Sequence, residues 1–335
     1  MSTFLVRRMF SMVFVWIGVT LLTFLIANVV PADPVAMRLG PKASPAAIQK
    51  MRREMGLDKS LPEQYVRYLI GLLHGNLGTS IWSGRPILRD LGDYLPATIE
   101  LATSALLLSV ALGIPLGLWA ATHPGRFPDR LVQNLSAAGL ALPLFLFGML
   151  LQLLFYLKLG WLPLDSRINL IYGPPERLTG LYILDSLLRL DFYRLGSSLV
   201  HLIMPATTLS LPAIGAIARM MRASTIEVLG QEYIRAARAR GIPRRLLLWR
   251  HVLANALLPV VTLIGNTFNA LLAGTFVVEV VFSWPGLGWY ATKVIRALDY
   301  GSIVSVTLVI AVLCTLVNLI VDLLYRKLDP RIQLT

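Results

Sequence analysis

Cysteine is almost missing: Cys314 is the single one in 335 residues, so no disulfide can form within the chain and a disulfide-stapled fold is excluded. Charged side chains are also scarce, at 15%, and acidic ones scarcer still, with 18 Asp and Glu against 31 Lys and Arg. A disordered chain would be rich in charge and poor in apolar residues, so that class is excluded too. The four histidines, His74, His123, His201 and His251, are scattered, with no H-E-x-x-H pattern and no Cys or His pairs at zinc spacing. No metal site and no catalytic residue is therefore expected. Neither a G-x-S-x-G nucleophile elbow nor a G-x-x-x-x-G-K-[ST] phosphate loop occurs. If ATP drives this protein, another chain must bind it.

Apolar residues are what the chain has in plenty, 56% of the total, with a mean hydropathy of +0.67. Six windows are long enough to cross about 30 Å of hydrocarbon: residues 9–30, 98–121, 131–157, 199–221, 256–282 and 303–325. The first follows Arg7 and Arg8 as a signal peptide would. Its apolar stretch of about 20 residues exceeds a secretory h-region, and no A-x-A cleavage site follows, so it reads as a retained signal-anchor helix. The expected fold class is an all-α polytopic membrane protein with six transmembrane helices.

Charge then sets the orientation. With the N-terminus in the cytoplasm, the inside segments carry 15 cations against 5 anions, a balance of +10, while the outside segments carry 16 against 13, a balance of +3. The positive-inside rule thus puts both termini in the cytoplasm. It also accounts for the net charge of +13 without nucleic acid, because no basic soluble domain interleaved with aromatics is left over.

Three segments interrupt the hydropathic pattern. Residues 31–96 lie outside the membrane and are longer than a connector needs, with helical stretches at 46–55 and 62–73 on either side of Gly56. A second outer segment, 158–198, is rich in Pro, Gly and charge. The third, 223–255, is cytoplasmic and holds six of the 15 inside cations.

Within it runs Glu232-Tyr233-Ile234-Arg235-Ala236-Ala237-Arg238-Ala239-Arg240-Gly241-Ile242-Pro243. The alanines favour helix, Gly241 suits a C′ position, and Pro243 can open a second helix reaching about Ala254. A face formed by Ala236, Ala237 and Ala239 would let a partner's groove approach closely, with arginines meeting acidic residues at its rim. The alternative is an ordinary juxtamembrane basic loop on anionic lipid headgroups.

Inside the spans, Glu100, Glu279 and Asp322 sit near helix ends and are expected to be structural. Thr262, Asn266 and Asn269 share one face of the fifth span, beside Gly265 and Ala273. Lipid would penalise three polar side chains there, so the face should look toward protein or a water-filled cavity. It is read either as a translocation surface or as interhelical hydrogen bonding. Pro115, Pro143, Pro205 and Pro212 either kink their spans or are repaired locally.

The 232–243 stretch resembles the "EAA" loop of binding-protein-dependent ABC importer permeases, which docks on the ATPase subunit. The likeness is stronger still to the first, B-type, permease subunit of the dipeptide, oligopeptide and nickel importers. Its further pieces are Gly75-Asn76-Leu77-Gly78-Thr79-Ser80, Leu95-Pro96-Ala97-Thr98-Ile99-Glu100-Leu101, Gly113-Ile114-Pro115-Leu116-Gly117, Arg250-His251-Val252-Leu253-Ala254-Asn255-Ala256-Leu257-Leu258-Pro259 and Phe282-Ser283-Trp284-Pro285-Gly286-Leu287-Gly288. Two departures stand out: Arg235 holds the place of the eponymous glutamate, and Leu253-Ala254 stands where the pattern ends in Leu-Pro.

The resemblance implies a type I ABC importer permease (MetI-like) fold in the bacterial inner membrane. It implies an N-terminal helix and extracytoplasmic region over 1–95, a permease domain over 96–325 containing the coupling loop 223–255, and a cytoplasmic tail over 326–335. The implied partners are a second homologous permease, two ATP-binding subunits that hold ATP and magnesium, an extracytoplasmic solute-binding protein and membrane lipid. The cargo would be short peptides or peptide-like solutes, with nickel or another metal chelate as the alternative. A stand-alone secondary transporter would need a coupling-ion site near the midplane, and the spans offer no central acidic residue.

Overall fold

The computed structural model describes residues 2–29, 44–54, 56 and 58–328. The start of the outer segment, 31–43, and the end of the tail, 329–335, lie outside the described residues. Every regular element among the described residues is helical, with one isolated antiparallel bridge between Thr79 and Pro86. In chain order the helices are α1 Ser2–Val29, α2 Pro45–Glu54, α3 Leu61–Leu73, α4 Ile87–Thr122, α5 Phe127–Ala141, α6 Leu144–Leu151, α7 Tyr182–Leu188, α8 Phe192–Leu229, α9 Glu232–Ala239, α10 Arg244–Leu246, α11 Leu253–Val281, α12 Leu287–Arg296 and α13 Tyr300–Leu328. Two π-helical segments, Gln152–Lys158 and Leu247–Val252, extend α6 and join α10 to α11.

Among the described residues, five helices are long and apolar enough to cross a membrane: Arg8–Leu25 within α1, Ile87–Thr122, Phe192–Leu229, the run Arg244–Val281, and Tyr300–Leu323 within α13. The expected third span, 131–157, is not straight. It consists of α5 and α6 with its π extension, bent by 108°, and it makes a sixth span if the pair counts as one. The cause is Pro143, which has no N–H to give and pushes Leu142 out of the helical region, to φ −85° and ψ 121°. Pro115, Pro205 and Pro212 lie within unbroken helices, so proline breaks only one of these spans.

The chain forms two units. One joins the residues up to Leu95 to Leu287–Leu316. In it, Trp16 Nε1 donates to Thr315 Oγ1 at 2.9 Å, and the Thr20 hydroxyl lies 3.0 Å from that of Tyr65 on α3. The buried Asp299 carboxylate accepts from Ser80 Oγ at 2.6 Å, the Ile81 N–H at 2.7 Å and Ser302 Oγ at 2.7 Å, which fastens the Gly78–Ser83 turn to the start of α13. Nearby, Asp90 accepts from Arg85, Ser83 and Tyr290; burial pushes the Tyr290 phenol up to about 12.

The other unit joins Pro96–Gly286 to the residues from Val317 onward. Its centre is α8, which packs against α5, α6, α7, α9 and α11. Lipid gives apolar helices no reason to prefer each other, so close van der Waals packing has to hold them. The Gly113 to Gly117 pair of α4 supplies it: a Cβ at Gly117 would overlap the Ala218 carbonyl and Met221 of α8. On another side of α8, Ser136 Oγ donates 2.6 Å to the Gly215 carbonyl. Ile217, Met221, Ala256 and Val260 fill the centre and are fully buried.

Candidate functional site

Helix α9 is short because its boundaries are strong. Gln231 is extended ahead of it, Glu232 places an acid in its first turn, and Arg238 a base in its last, both favourable to the helix dipole. It stops at Gly241, whose φ of +77° a side chain would resist, and the Gly241 N–H donates back to Arg238 O at 2.9 Å. Pro243 then opens the next helix with φ −56°. That helix does not end near Ala254 as expected. It runs from Arg244 to Val281, because the π turn at Leu247–Val252 and Pro259 are both absorbed without a break.

Three side chains, Ile234, Leu247 and Val252, form a buried cluster that fixes α9 to the base of the fifth span, with Val228, Leu229, Ala237, Ile242 and Leu248 around it. Asn255 Nδ2 donates to the Tyr233 hydroxyl at 3.1 Å and to His251 O at 2.8 Å. Of the residues singled out in the loop, Glu232, Tyr233, Arg235, Ala236, Ala239, Gly241 and Pro243 are exposed. Ala237 is half-buried and packs on the chain's own cluster. The alanine face is therefore narrower than the spacing suggests. Ala236 and Ala239, three residues apart, face outward beside Glu232 and Arg235, while Ala237 faces inward.

The polar face of the fifth span also divides. Asn269 Nδ2 donates 2.6 Å to Asn318 Oδ1 of α13, so this residue bonds between helices. Gly265 sits against Val321 of the same helix, where a Cβ would overlap it. Thr262 Oγ1 turns back to Leu258 O at 3.4 Å, and Asn266 is exposed. One face thus carries an interhelical bond at Asn269 and an open amide one turn earlier.

Sequence reasoning missed how the scattered charges pair. Glu100 and Arg167 are buried together, with Arg167 Nε 2.8 Å from Glu100 Oε2. Glu100 Oε1 accepts from the Ile183 N–H at 2.8 Å, and Arg167 Nη2 donates to Gly180 O at 2.9 Å and stacks over the Tyr182 ring at 3.7 Å. Thr98 Oγ1 donates to the fully buried Glu279 at 2.6 Å, Trp284 Nε1 to Ala97 O at 2.9 Å, and Gly286 leaves the room that the Glu279 carboxylate occupies. These contacts bring together the pieces around Thr98 and around Trp284, with Glu100 and Glu279 both buried and bonded within the chain. Their nearness was not readable from a chain in which they lie far apart.

Asp129 and Arg222 were counted only as inside charge. They form an ion pair at 2.5 Å that ties the Gly125 turn to α8. Burial would raise the Asp185 carboxyl, but the Thr179 hydroxyl and the N–H groups of Thr179, Gly180 and Leu178 hold it below its ordinary value. Among the described residues no group of three His, Cys, Asp or Glu could hold a metal ion.

Comparison with known proteins gives the family. A family described as binding-protein-dependent transport system inner membrane component matches residues 113–334, and the N-terminal component of such systems matches residues 1–102. The chain is 41% identical to a probable D,D-dipeptide transport system permease protein of Escherichia coli, over 97% of this chain and 96% of that one. It is 37% identical to a dipeptide transport system permease protein of Alkalihalophilus pseudofirmus, over 99% and 100% of the two chains. Similarity to a glutathione transport system permease protein of Pectobacterium atrosepticum is 33%, over 99% of each chain.

Proposed function

The chain belongs to the family of binding-protein-dependent transport system inner membrane components, and from that premise we propose that it forms one half of a two-permease pore importing short peptides or peptide-like solutes. It is a permease subunit of an ABC importer, a multi-pass inner-membrane component that works with an ATPase and a binding protein. In this reading two ATP-binding subunits hold ATP and magnesium, an extracytoplasmic solute-binding protein delivers the cargo, and no catalytic residue is needed on this chain. Both termini lie in the cytoplasm, which places the +10 balance on the inner face.

One observation carries the coupling assignment. Helix α9 is anchored on one side by the buried Ile234, while Arg235, Ala236 and Ala239 remain open on the other. Such a face can enter a groove of the ATPase subunit without steric hindrance, and the anchor passes a push on α9 directly to α8 and to the base of α11. Coupling requires the face to bind the two nucleotide states of the ATPase unequally, since equal binding would shift nothing. Asn266 and Thr262 are assigned to the solute path, where a neutral amide can exchange hydrogen bonds with a passing peptide backbone. Asn269 is assigned to holding α13.

The relatives' names favour dipeptides and extend to glutathione, so the cargo class is peptide-like. Transport of labelled dipeptide by the reconstituted complex, with competition by longer peptides, glutathione and nickel chelates, tests it. Competition by nickel chelates alone would replace the peptide reading. Purification of the chain from its native membrane should bring down stoichiometric ATPase and second-permease chains, and an active lone chain would contradict the assembly.

A further inference from the structure

Residues 244–252, between α9 and the fifth span, have two faces. Leu247 and Val252 are buried, and Leu248 packs beside them toward α9. On the other face Arg244, Arg245, Leu246, Trp249 and Arg250 are exposed, Leu246 to 47% and Trp249 to 60%. No salt bridge among the described residues involves any of the three arginines. An indole and an isobutyl group lie in the open beside three guanidinium groups that form no salt bridge among the described residues.

This composition matches a cytoplasmic membrane interface, where tryptophan sits at headgroup level and arginine meets anionic lipid. The position agrees. The helix that carries these residues continues without a break to Val281. Trp249 lies seven residues ahead of Ala256, where the expected apolar run begins, a distance of about 10 Å along the axis. The headgroup layer on each side of the hydrocarbon is about 5–8 Å thick, and the reach of an indole or an arginine covers the remainder. The face opposite is taken by α9, through the packing of Leu247 and Val252 on Ile234.

We propose that Trp249 and Arg250, with Arg245 reaching from one turn further out, form a binding surface for anionic phospholipid headgroups of the cytoplasmic leaflet, holding the coupling loop against the membrane. The leaflet rests on the orientation proposed above; the lipid contact itself does not. Lipid held here fixes the base of the fifth span while α9 moves with its partner, so the coupling loop is braced on one face and driven on the other.

The test uses the full chain in a Cys314→Ala background, with spin labels on Trp249→Cys or Ala236→Cys, in phosphatidylcholine vesicles with or without phosphatidylglycerol. Collisional access to oxygen and to a water-soluble nickel chelate reads depth. The label at 249 should report headgroup depth with phosphatidylglycerol present, and the label at 236 should report water. Enrichment of spin-labelled phosphatidylglycerol around the chain should fall about five-fold for each arginine in Arg245→Gln and Arg250→Gln, and should be kept by Arg245→Lys with Arg250→Lys. Equal water access at 249 and 236 would overturn the proposal. So would shielding of 249 that appears only when the ATPase subunit is added, which would make the occupant a protein. Impermeant thiol labelling of Gln231→Cys in the same vesicles reads orientation separately, so a failure of the leaflet leaves the depth result standing.

Discussion

Two clusters of charge in the same unit behave in opposite ways. At Glu100 and Arg167 each charged group is buried and bonded to a partner or to backbone: carboxylate to guanidinium, carboxylate to the Ile183 N–H, guanidinium to Gly180 O. In the loop around α9, Arg235, Arg238, Arg240, Arg244 and Arg245 are exposed and form no salt bridge among the described residues. The first cluster holds the fold, and the second is open to something outside the chain. Charge count alone does not separate them; burial and bonding do.

The largest effect should come from breaking the buried pair. Arg167→Met leaves Glu100 charged and without its ion-pair partner, a loss of about 3–5 kcal/mol. Assembled, folded chain in the membrane should fall sharply, and Arg167→Met with Glu100→Gln should recover much of it. An equal loss in the double variant would mean that Arg167 acts through its stacking on Tyr182 and not through charge. In the loop, Ala239→Asp should leave folding within about 0.5 kcal/mol because the site is exposed. It should still abolish peptide uptake, since a desolvated carboxylate in a docking groove costs several kcal/mol. Ala237→Asp should differ by lowering the yield of folded chain, because that side chain packs on Ile234, Leu247 and Val252.

Two smaller effects sharpen the contrast. Gly241 has open space around a would-be Cβ but a φ of +77°, so only backbone conformation opposes a side chain there. Gly241→Val should cost about 1–2 kcal/mol and impair coupling, while Gly241→Asn should be nearly silent, as measured by transport per assembled complex. In the fifth span, Asn269→Leu should lower assembly by about 0.5–2 kcal/mol through loss of its bond to Asn318. Asn266→Leu should leave assembly unchanged and slow transport. The reverse ranking would exchange the two roles.

Much of this was legible in the sequence because it is local. The helix Glu232–Ala239, the turn at Gly241 and the restart at Pro243 follow from propensity and capping, and the short helices α2 and α3 from the stretches on either side of Gly56. The spans followed from apolar length. What stayed hidden depends on three-dimensional neighbours. Spacing alone put Ala236, Ala237 and Ala239 on one face, but only the packing of Ile234 on Leu247 and Val252 turns Ala237 inward. Thr262, Asn266 and Asn269 share a helical face, yet Asn318, 49 residues beyond Asn269, takes one of them as its partner. The bend at Pro143 could be located but not measured, since four prolines looked alike in sequence and one breaks its span.

The central claim is that the outward face of α9 docks on the ATPase subunit. Photo-crosslinkers attached to single cysteines at Arg235, Ala236 and Ala239, in the intact complex with and without ATP, test it most directly. The account predicts adducts to the ATPase chain from all three positions, with yields that change with nucleotide, and none from a label at Trp249. A complex that transports peptide while no α9 position crosslinks to the ATPase in either state would contradict it.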